Sequence, residues 1–424
     1  MSPRVRAPCW CSQLILPSLA SRLPDVRVLG SAADLERLRE EWEELASRCP
    51  GHRLSQRYRW SDVAWRTVAE PRGRNLHILT LRSEGRLVGV WALVSYLDKG
   101  LRLVRPLGTE SSEYTEPLVE PGPHHGEWLE RLWNAARPLG DLLFMTHVRS
   151  DRPFARLPRQ HRLCCFVDNE LNAPQVVRAA YPDWQTYLGT VTTSHLSDLR
   201  RKRRRLSELG EVTFRREETP LAPAMIDTIL GHKQAWISRR RLHNDWLAEP
   251  DYRDFLRAMT SDPHDRDGLS LFVLRVGDTP VAFQINAVDD RRVEGLIGSQ
   301  DPDWRRYSTG DLLMQECLHW AFQHDKDVDF RMGGESYKAT WARQDCLTFN
   351  CLTGLSWRGM VVIWLRKLAH PIKMLRFRLG LGRFRPMIRL DLENSSLLRS
   401  MRGAVRRRWA PSPGGRPRRL PTGR

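Results

Sequence analysis

Six consecutive residues at a predicted strand–helix junction are of types that bind anions. They are Arg305, Arg306, Tyr307, Ser308, Thr309 and Gly310. A helix is predicted to begin near Thr309, because Leu313, Cys317 and Trp320 follow on one face. The free N–H groups and the dipole of a helix start favour an anion, and the two arginines add positive charge. The residues alone leave two interpretations open, an anion site or an ordinary capped helix with solvated arginines.

Carboxylate and phenol groups lie nearby at positions suited to proton transfer. Asp329 belongs to a predicted strand at 328–332, and Glu335 lies on the Gly-Gly turn that follows, where its side chain can face a cleft. Either carboxylate can serve as a general base, although a structural hydrogen bond is the preferred explanation for Asp329. Tyr307 and Tyr337 can each donate a proton, with half-buried packing as the favoured alternative.

The elements that position these residues occur twice along the chain in the same order. Each half contains helices, a three-stranded meander, a helix and a strand, and a strongly basic helix at 194–209 opens the second set. Hairpin turns followed by apolar strands occur at 83–90 and 276–283. We therefore predict an α+β fold with two tandem domains, residues 25–165 and 166–357. Two unrelated α+β domains are the alternative.

Charge is concentrated at the C-terminus. The 424 residues carry 68 Lys and Arg against 50 Asp and Glu, a net charge of +18. Residues 358–424 hold 18 of the basic and two of the acidic residues, a net of +16, so that residues 1–357 have a net of only +2. The basic balance is therefore no argument that the body binds nucleic acid. Hydrophobic residues make up 41%, which excludes a wholly disordered chain.

Neither the cysteines nor the N-terminal stretch carries a clear signal for metal binding or targeting. The eight cysteines show no C-x-x-C spacing, so we expect reduced thiols in a cytosolic protein and no metal site. Pro17 and Ser12 interrupt the weakly apolar stretch near the N-terminus. Residues 1–24 are therefore predicted to be a disordered leader rather than a secretory signal.

The run from Leu269 to Arg343 resembles a known family. Three segments carry the resemblance: Gly277-Asp278-Thr279-Pro280-Val281-Ala282-Phe283, Gly298-Ser299-Gln300-Asp301-Pro302-Asp303-Trp304-Arg305-Arg306-Tyr307-Ser308-Thr309-Gly310 and Asp329-Phe330-Arg331-Met332-Gly333-Gly334-Glu335-Ser336-Tyr337-Lys338-Ala339-Thr340-Trp341. They resemble the CelD-type acetyltransferases of the GNAT superfamily, which are similar to the two-half Fem peptidyltransferases. Pro106-Leu107-Gly108 and nearby residues extend the resemblance into the first half.

The resemblance implies two GNAT-like domains with mixed sheets flanked by helices, and acetyl-CoA or another acyl-CoA as the donor. The segment 305–310 would hold the CoA pyrophosphate, with Ser308 in place of the first glycine of the superfamily pattern. The strand Glu294–Gln300 would run beside the acyl chain, and Gln300 at its end would join the CoA-binding set. Backbone N–H groups of this strand can polarise the thioester carbonyl.

The same resemblance assigns residues on the acceptor side. Tyr337-Lys338 with Trp341 resembles the Tyr-Lys turn of the Fem-like enzymes, whose lysine lies at the transfer site. The Lys338 ammonium can stabilise a developing oxyanion, and a surface lysine is the alternative. The acceptor cleft is assigned to His232, Trp236 and Tyr307. Core packing is the equal alternative for the first two, which lie one helical turn apart.

We therefore predict an N-acyltransferase that moves an acyl group, most simply acetyl, to an amine of a small-molecule or cell-envelope acceptor. The candidate catalytic residues are Lys338, Glu335, Tyr337 and Asp329. A Fem-like transferase that uses aminoacyl-tRNA is one alternative, favoured by the basic run at 200–205. A non-catalytic binding or scaffold protein is another, because residues 332–335 lack one acid and one arginine of the family's turn.

Residues 358–424 are predicted to be a basic tail that starts as an amphipathic helix and is disordered from Ala410 onward. The tail opens with the apolar run 360–365, and Lys and Arg follow. This composition suits an interfacial helix on an anionic membrane, with breaks expected at Pro371 and Pro386. We expect a cytoplasmic protein held peripherally at the inner face of the membrane. The alternative is that residues 361–368 pack against the second domain as a final helix.

Overall fold

The computed structural model describes most of the chain between Asp25 and Arg378. The described residues are 25–109, 114, 116–217, 219–239, 249–261, 268–333 and 336–378. The predicted leader, the tail beyond residue 378 and the candidate base Glu335 lie outside them.

One mixed sheet extends through the described chain. Its strands are β1 (Asp25–Leu29), β2 (Asn75–Ser83), β3 (Arg86–Asp98), β4 (Leu101–Pro106), β5 (Leu118–Val119), β6 (Leu142–Arg149), β7 (Cys165–Val176), β8 (Val212–Glu217), β9 (Leu269–Val276), β10 (Thr279–Val288), β11 (Arg292–Gln300), β12 (Asp327–Asp329) and β13 (Gln344–Gly354). They lie in the order β1-β2-β3-β4-β6-β13-β7-β12-β11-β10-β9-β8, and β5 pairs with β3.

Helices flank this sheet. They are α1 (Ala32–Arg37), α2 (Arg39–Arg48), α3 (Tyr58–Ala64), α4 (His125–Ala135), α5 (Arg156–Gln160), α6 (Trp184–Leu188), α7 (Thr193–Ser207), α8 (Pro223–Arg239), α9 (Pro250–Met259), α10 (Thr309–Gln323), α11 (Ser336–Trp341) and α12 (Trp357–Arg378). The predicted α+β class, with a mixed sheet flanked by helices, is confirmed.

Strand β9 shows how the sheet is covered on both faces. Leu271 and Val273 join the apolar cluster that contains α8 and α9, whereas Phe272 and Leu274 join the cluster that contains α10. Side chains alternate between the two faces of a strand, so each face of β9 meets a different set of helices. A strand buried on both sides explains the continuous apolar run Leu271–Leu274.

Strands β7 and β13 join the two predicted halves near the middle of the sheet. Strand β7 follows the first half and pairs with β12, while β13 ends the second half and pairs with β6. The two strands also pair with each other along their length. The strand at 165–176 is not among the elements that the sequence predicts. The division at residue 165 stays a prediction, but it falls at the start of a strand in the middle of the sheet.

Helix α12 packs on the sheet with one face. Val362 and Ile363 are buried against residues of β4, β6, β7 and β13. The packed-helix alternative therefore holds in part, because the helix packs on strands of both halves and not on the second domain alone. The expected break at Pro371 is wrong, because the helix continues through this residue to Arg378. Proline removes one helical hydrogen bond. The helix tolerates this loss at Pro371 because the residue is solvent-exposed. Within the described residues, no helix has the length and apolarity that crossing a membrane requires.

Candidate active site

The parallel strands β11 and β12 separate after three residue pairs. The pairs are Arg292↔Asp327, Val293↔Val328 and Glu294↔Asp329. From Gly295 to Gln300, β11 pairs with β10 on one side, and no strand in the described part of the chain pairs with the other edge. An unpaired strand edge offers backbone N–H and C=O groups to an extended ligand.

A β-bulge shapes this open edge. Ile285 pairs with Ile297 and Asn286 pairs with Gly295, so that Leu296 is the extra residue. A bulge increases the local twist and changes the direction of the strand. A Cβ atom on Gly295 would lie 3.2 Å from Gln284 Nε2, so the glycine allows β10 side chains to approach closely.

Helix α10 begins beside the end of this edge. Ser308 precedes the helix in the left-handed region, with φ of 52°. The Gln300 side-chain oxygen accepts hydrogen bonds from the Gly310 N–H and the Thr309 hydroxyl, each at 3.1 Å. The strand end and the helix start are therefore attached to each other. Gln300 thus already accepts a hydrogen bond from one of the backbone N–H groups that a helix start presents to anions.

A lysine of the basic helix α7 contacts the same junction. Lys202 Nζ donates a hydrogen bond to the Ser308 hydroxyl at 2.7 Å and lies 2.7 Å from a carboxylate oxygen of Asp198. Arg203 forms an ion pair with Glu316 of α10. Helix α7 therefore lies along the start of α10 and places an ammonium group there.

The neighbouring arginines and tyrosine occupy different environments. Arg305 and Arg306 are exposed, and the Arg306 guanidinium lies 4.8 Å from the centre of the Tyr307 ring. Tyr307 is half-buried and packs beside Trp304, with ring centres 6.1 Å apart. The arginines are accessible to an anion, whereas packing accounts for the position of Tyr307.

Asp329 lies in a buried ion network. Its carboxylate accepts hydrogen bonds from Arg53 at 3.1 Å, Arg149 at 2.8 Å and the Tyr114 hydroxyl at 3.1 Å, and from the backbone N–H of Arg331 at 2.8 Å. Burial opposes ionisation, but Arg53 and Arg149 outweigh it and lower the pKa of Asp329. A carboxylate with four donors and a lowered pKa is a weak proton acceptor. The geometry favours the structural role for this residue.

Both halves build the base of the cleft between β11 and β12. Glu294, the neighbour of Asp329 in the parallel pairing, forms a buried ion pair with Arg53. Arg53 and Arg149 belong to the first half, 276 and 180 positions from Asp329. Sequence analysis missed these partners, because no local pattern connects residues so far apart.

Helix α11 connects the cleft to the start of α10. Lys338 is buried, and its Nζ donates hydrogen bonds to the carbonyls of Arg331 at 3.2 Å and Met332 at 2.7 Å. Trp341 Nε1 donates to Asp311 in the first turn of α10 at 3.3 Å. Lys338 is thus no surface residue, and it holds the loop after β12. Its neighbour Tyr337 is 37% exposed.

His232 and Trp236 lie on α8, which packs across β11 on the face opposite α10. The His232 ring centre is 6.0 Å from that of Phe283. Its Nδ1 is buried and has no hydrogen-bond partner among the described residues. Lys233 Nζ lies 4.6 Å from the Trp236 ring. Both side chains are half-buried, so they can border an acceptor cleft while contributing to packing.

The structure brings some of the predicted site residues together and separates others. Gln300, Ser308, Thr309 and Gly310 meet at one junction, to which the structure adds Lys202. In the sequence, Lys202 stands out only as one member of the basic run at 200–205. Considering the described residues alone, no three His, Cys, Asp or Glu side chains are grouped as metal ligands.

Comparison with protein families identifies the class of this second half. Residues 193–339 match the family model for an acetyltransferase (GNAT) domain. The matched stretch runs from α7 into α11, so it includes the open edge of β11 and the start of α10. This part of the second half is therefore similar to a GNAT-type acetyltransferase domain.

The fold as a whole is similar to solved structures at low sequence identity. FemX is 11% identical with a TM-score of 0.53, over 74% of this chain and 95% of that one. The C-terminal domain of a putative lysylphosphatidylglycerol synthetase from Agrobacterium fabrum is 13% identical, with a TM-score of 0.48 over 78% and 95%. A tandem GNAT protein from the clavulanic acid biosynthesis pathway is 14% identical, with a TM-score of 0.44 over 78% and 99%. No curated protein sequence shows significant similarity to the chain.

Proposed function

We propose that the chain is an acyltransferase whose donor is an acyl-CoA bound by the GNAT-type domain. The observation that carries the proposal is the open edge of β11 at 295–300, which ends at the start of α10. The amide groups of a pantetheine chain can pair with such an edge, and a helix start can bind a pyrophosphate. The family match covers both elements.

The donor phosphates are assigned to the N–H groups at the start of α10 and to the Lys202 ammonium. Gln300 releases the Gly310 N–H when the phosphate binds, because both oxygens compete for the same donor. The exposed side chains of Arg305 and Arg306 add charge at the rim. The thioester carbonyl then lies along β11, whose free backbone N–H groups polarise it.

In the transfer step, the acceptor nitrogen attacks the thioester carbon, a C–N bond forms and the C–S bond breaks. The amine loses a proton to a base, and the CoA thiolate gains one. Tyr337 is proposed as the proton donor and Glu335 as the base. Asp329 receives no proton in this scheme because its carboxylate is fully hydrogen-bonded. Lys338 acts by holding the loop after β12.

The acceptor is proposed to be an amine of a small molecule or of the cell envelope, and acetyl the simplest acyl group. His232 and Trp236 border the acceptor side, on the sheet face opposite α10. The resemblance to CelD-type enzymes stays part of this proposal, and it supports acyl transfer to nitrogen.

Isothermal titration of the full chain with acetyl-CoA and longer acyl-CoAs tests donor binding. Lys202→Ala should weaken binding by about 10- to 150-fold, since a charge-assisted hydrogen bond to phosphate contributes about 1.5–3 kcal/mol. The matched control is Arg200→Ala, because Arg200 is exposed on the same helix and bonds only to Ser197 among the contacts observed. Absence of heat with every acyl-CoA, from folded protein, would contradict the assignment.

The basic helix favours one second candidate, a transferase that uses aminoacyl-tRNA. Arg200, Arg201, Arg204 and Arg205 are exposed on α7, where they can contact phosphates. This candidate predicts tRNA binding that weakens steeply with salt and is lost in Arg204→Ala/Arg205→Ala. A non-catalytic binding protein predicts ligand binding without turnover on any amine.

Attachment to the cytoplasmic face of an anionic membrane through residues 358–424 also stays a proposal. Because α12 packs on the sheet through Val362 and Ile363, attachment cannot use the whole apolar run at 360–365. Attachment must use the face of α12 that does not pack on the sheet.

A further inference from the structure

Helix α12 has a second apolar face that nothing in the described chain covers. Its large exposed side chains are Trp357 at 77%, Val361 at 50%, Trp364 at 50%, Leu365 at 40% and Leu368 at 64%. These positions follow the spacing i, i+4, i+7, i+8 and i+11, which places them on one side of a helix. We call them the exposed stripe, and it extends over about 16 Å at the helical rise per residue.

The exposed stripe is unusual on this molecule. It contains five of the eleven large hydrophobic residues that are exposed in the described part of the chain, and the other six are dispersed over several elements. Single exposed apolar residues need no explanation, whereas a contiguous set on a folded protein indicates a binding surface. The opposite face of α12 is already used, because Val362 and Ile363 are buried in the core.

Charge indicates what kind of surface the stripe fits. Lys367 docks the helix, since its Nζ donates to the carbonyls of Arg162 at 2.6 Å and Leu163 at 3.0 Å. Beyond α12 the chain continues for residues 379–424, which hold 12 Lys and Arg against two acidic residues. An apolar helix face next to a strongly basic segment complements a surface with an anionic layer over an apolar interior.

We propose that the exposed stripe docks on an anionic lipid surface, with the axis of α12 parallel to that surface. The apolar side chains enter the boundary between headgroups and acyl chains, and residues 379–424 supply electrostatic attraction. The buried face of α12 stays on the sheet, so the protein docks as a folded body. No residue of the stripe belongs to the candidate active site, so the inference deepens the membrane attachment proposed above and does not rest on the acyl transfer.

Co-sedimentation of the nuclease-treated full chain with vesicles tests the proposal. One set of vesicles contains phosphatidylcholine with phosphatidylglycerol, and the other contains phosphatidylcholine alone. The stripe variant is Trp364→Ser/Leu368→Ser. The control is Leu209→Ser, which removes a 55% exposed leucine after the end of α7. We expect partitioning onto the anionic vesicles to fall about tenfold in the stripe variant and to stay unchanged in the control.

Two results would overturn the proposal. One is absence of binding to anionic vesicles by the parent chain after nuclease treatment, which would indicate a nucleic-acid partner or none. The other is equal partitioning of the stripe variant and the parent, which would assign attachment to residues 379–424 alone. Circular dichroism verifies that the stripe variant is folded. Trp364→Phe, which keeps an apolar ring, should bind like the parent even if the double variant proves unstable.

Discussion

Gly310 is the residue at which donor binding can be tested most directly within α10. A Cβ atom at this position would lie 3.4 Å from Gln300 Oε1, an ordinary contact distance. Gly310→Ala should therefore fold and bind acyl-CoA with little change. In Gly310→Leu the larger side chain occupies the space over the helix start, so we expect acyl-CoA affinity to fall by about tenfold or more. Isothermal titration of both variants makes the comparison.

The alanine variant is the control for this experiment, because it changes the backbone preference in the same way as leucine. Equal affinities in Gly310→Leu and the parent would place the donor phosphates elsewhere. Equal losses in both variants would indicate a backbone effect instead of competition for space.

His147 predicts a specific pH dependence of stability. It is buried in β6, and burial together with Arg331 lowers its pKa to about 3. In the unfolded chain the pKa is about 6.5, so below that pH the unfolded state binds a proton that the folded state does not. The stability that this group contributes is present above pH ~6.5 and is lost as the pH falls towards its folded pKa. Between pH ~6.5 and ~5 the loss amounts to about 2 kcal/mol.

His147→Asn should remove this part of the pH dependence. Asparagine tolerates the left-handed backbone at this position, where φ is 52°. Urea unfolding of both proteins near pH ~7 and ~5 gives the comparison, and the relevant quantity is the change in unfolding free energy between the two pH values. The prediction is wrong if both proteins lose the same amount.

The docking of α12 depends on a glycine. A Cβ atom on Gly359 would lie 1.8 Å from the carbonyl oxygen of Asp141, so a side chain forces the helix away from the sheet. Asp141 also accepts a hydrogen bond from Ser356 at 2.5 Å, just before the helix. We expect Gly359→Ala to lower the unfolding free energy by about 1–3 kcal/mol, as overpacking does. Urea unfolding measures it.

Gly231 provides the matched control in α8. A Cβ atom there would meet nothing within 4 Å, so Gly231→Ala should be neutral or stabilising by up to about 1 kcal/mol through helix propensity. A similar loss in both variants would show that the close approach at Gly359 does not limit the docking of α12.

The buried ion network connects the two halves of the molecule. Asp329 belongs to the second half and bonds to Arg53 and Arg149 of the first. Asp329→Asn removes the buried negative charge that pairs with two guanidinium groups. We therefore expect the free energy of unfolding to fall by about 3–5 kcal/mol near neutral pH. Because the pKa of Asp329 is lowered in the folded state, its contribution is present above the unfolded value of about 3.9 and is lost as the pH falls through the folded pKa. Denaturant unfolding near pH ~7 checks the magnitude.

Asp227→Asn is the control for the ion network. Asp227 pairs with Arg257, and both side chains are well exposed, at 40% and 36%. An exposed pair contributes at most about 1 kcal/mol. If both variants lost equal stability, the network at Asp329 would contribute no more than a surface pair.

The exchange of β7 and β13 predicts that the described chain unfolds as one unit. Strand β13 ends the second half and pairs with β6 of the first, and β7 pairs with both β13 and β12, so neither half keeps all of its strand neighbours when the other unfolds. Far-ultraviolet circular dichroism and tryptophan fluorescence should report coincident urea transitions in the full chain. Two separated midpoints would contradict this prediction.

Many local elements could be predicted because their signals lie within a few residues. Ser31 caps α1 by accepting a hydrogen bond from the Asp34 N–H, and a serine just before apolar residues spaced by three and four predicts such a helix start. The meander β9–β11 and the start of α10 at Thr309 also lie where turn residues and apolar spacing indicate. Strand β7 escaped prediction because Asp168, Asn169 and Pro174 interrupt its apolar pattern. It is a strand because both neighbours supply hydrogen bonds to its edges.

The candidate site likewise has features that could be predicted from the sequence and others that could not. The contact of Gln300 with Gly310 spans ten positions, and the sequence by itself determined that these residues belong to one junction. Only the tertiary structure decided that Asp329 faces Arg53 and Arg149, that Lys338 is buried and that one side of α12 stays exposed. Spacing along the chain encodes turns and helix starts, whereas burial and charge pairing depend on which distant residues the sheet brings side by side.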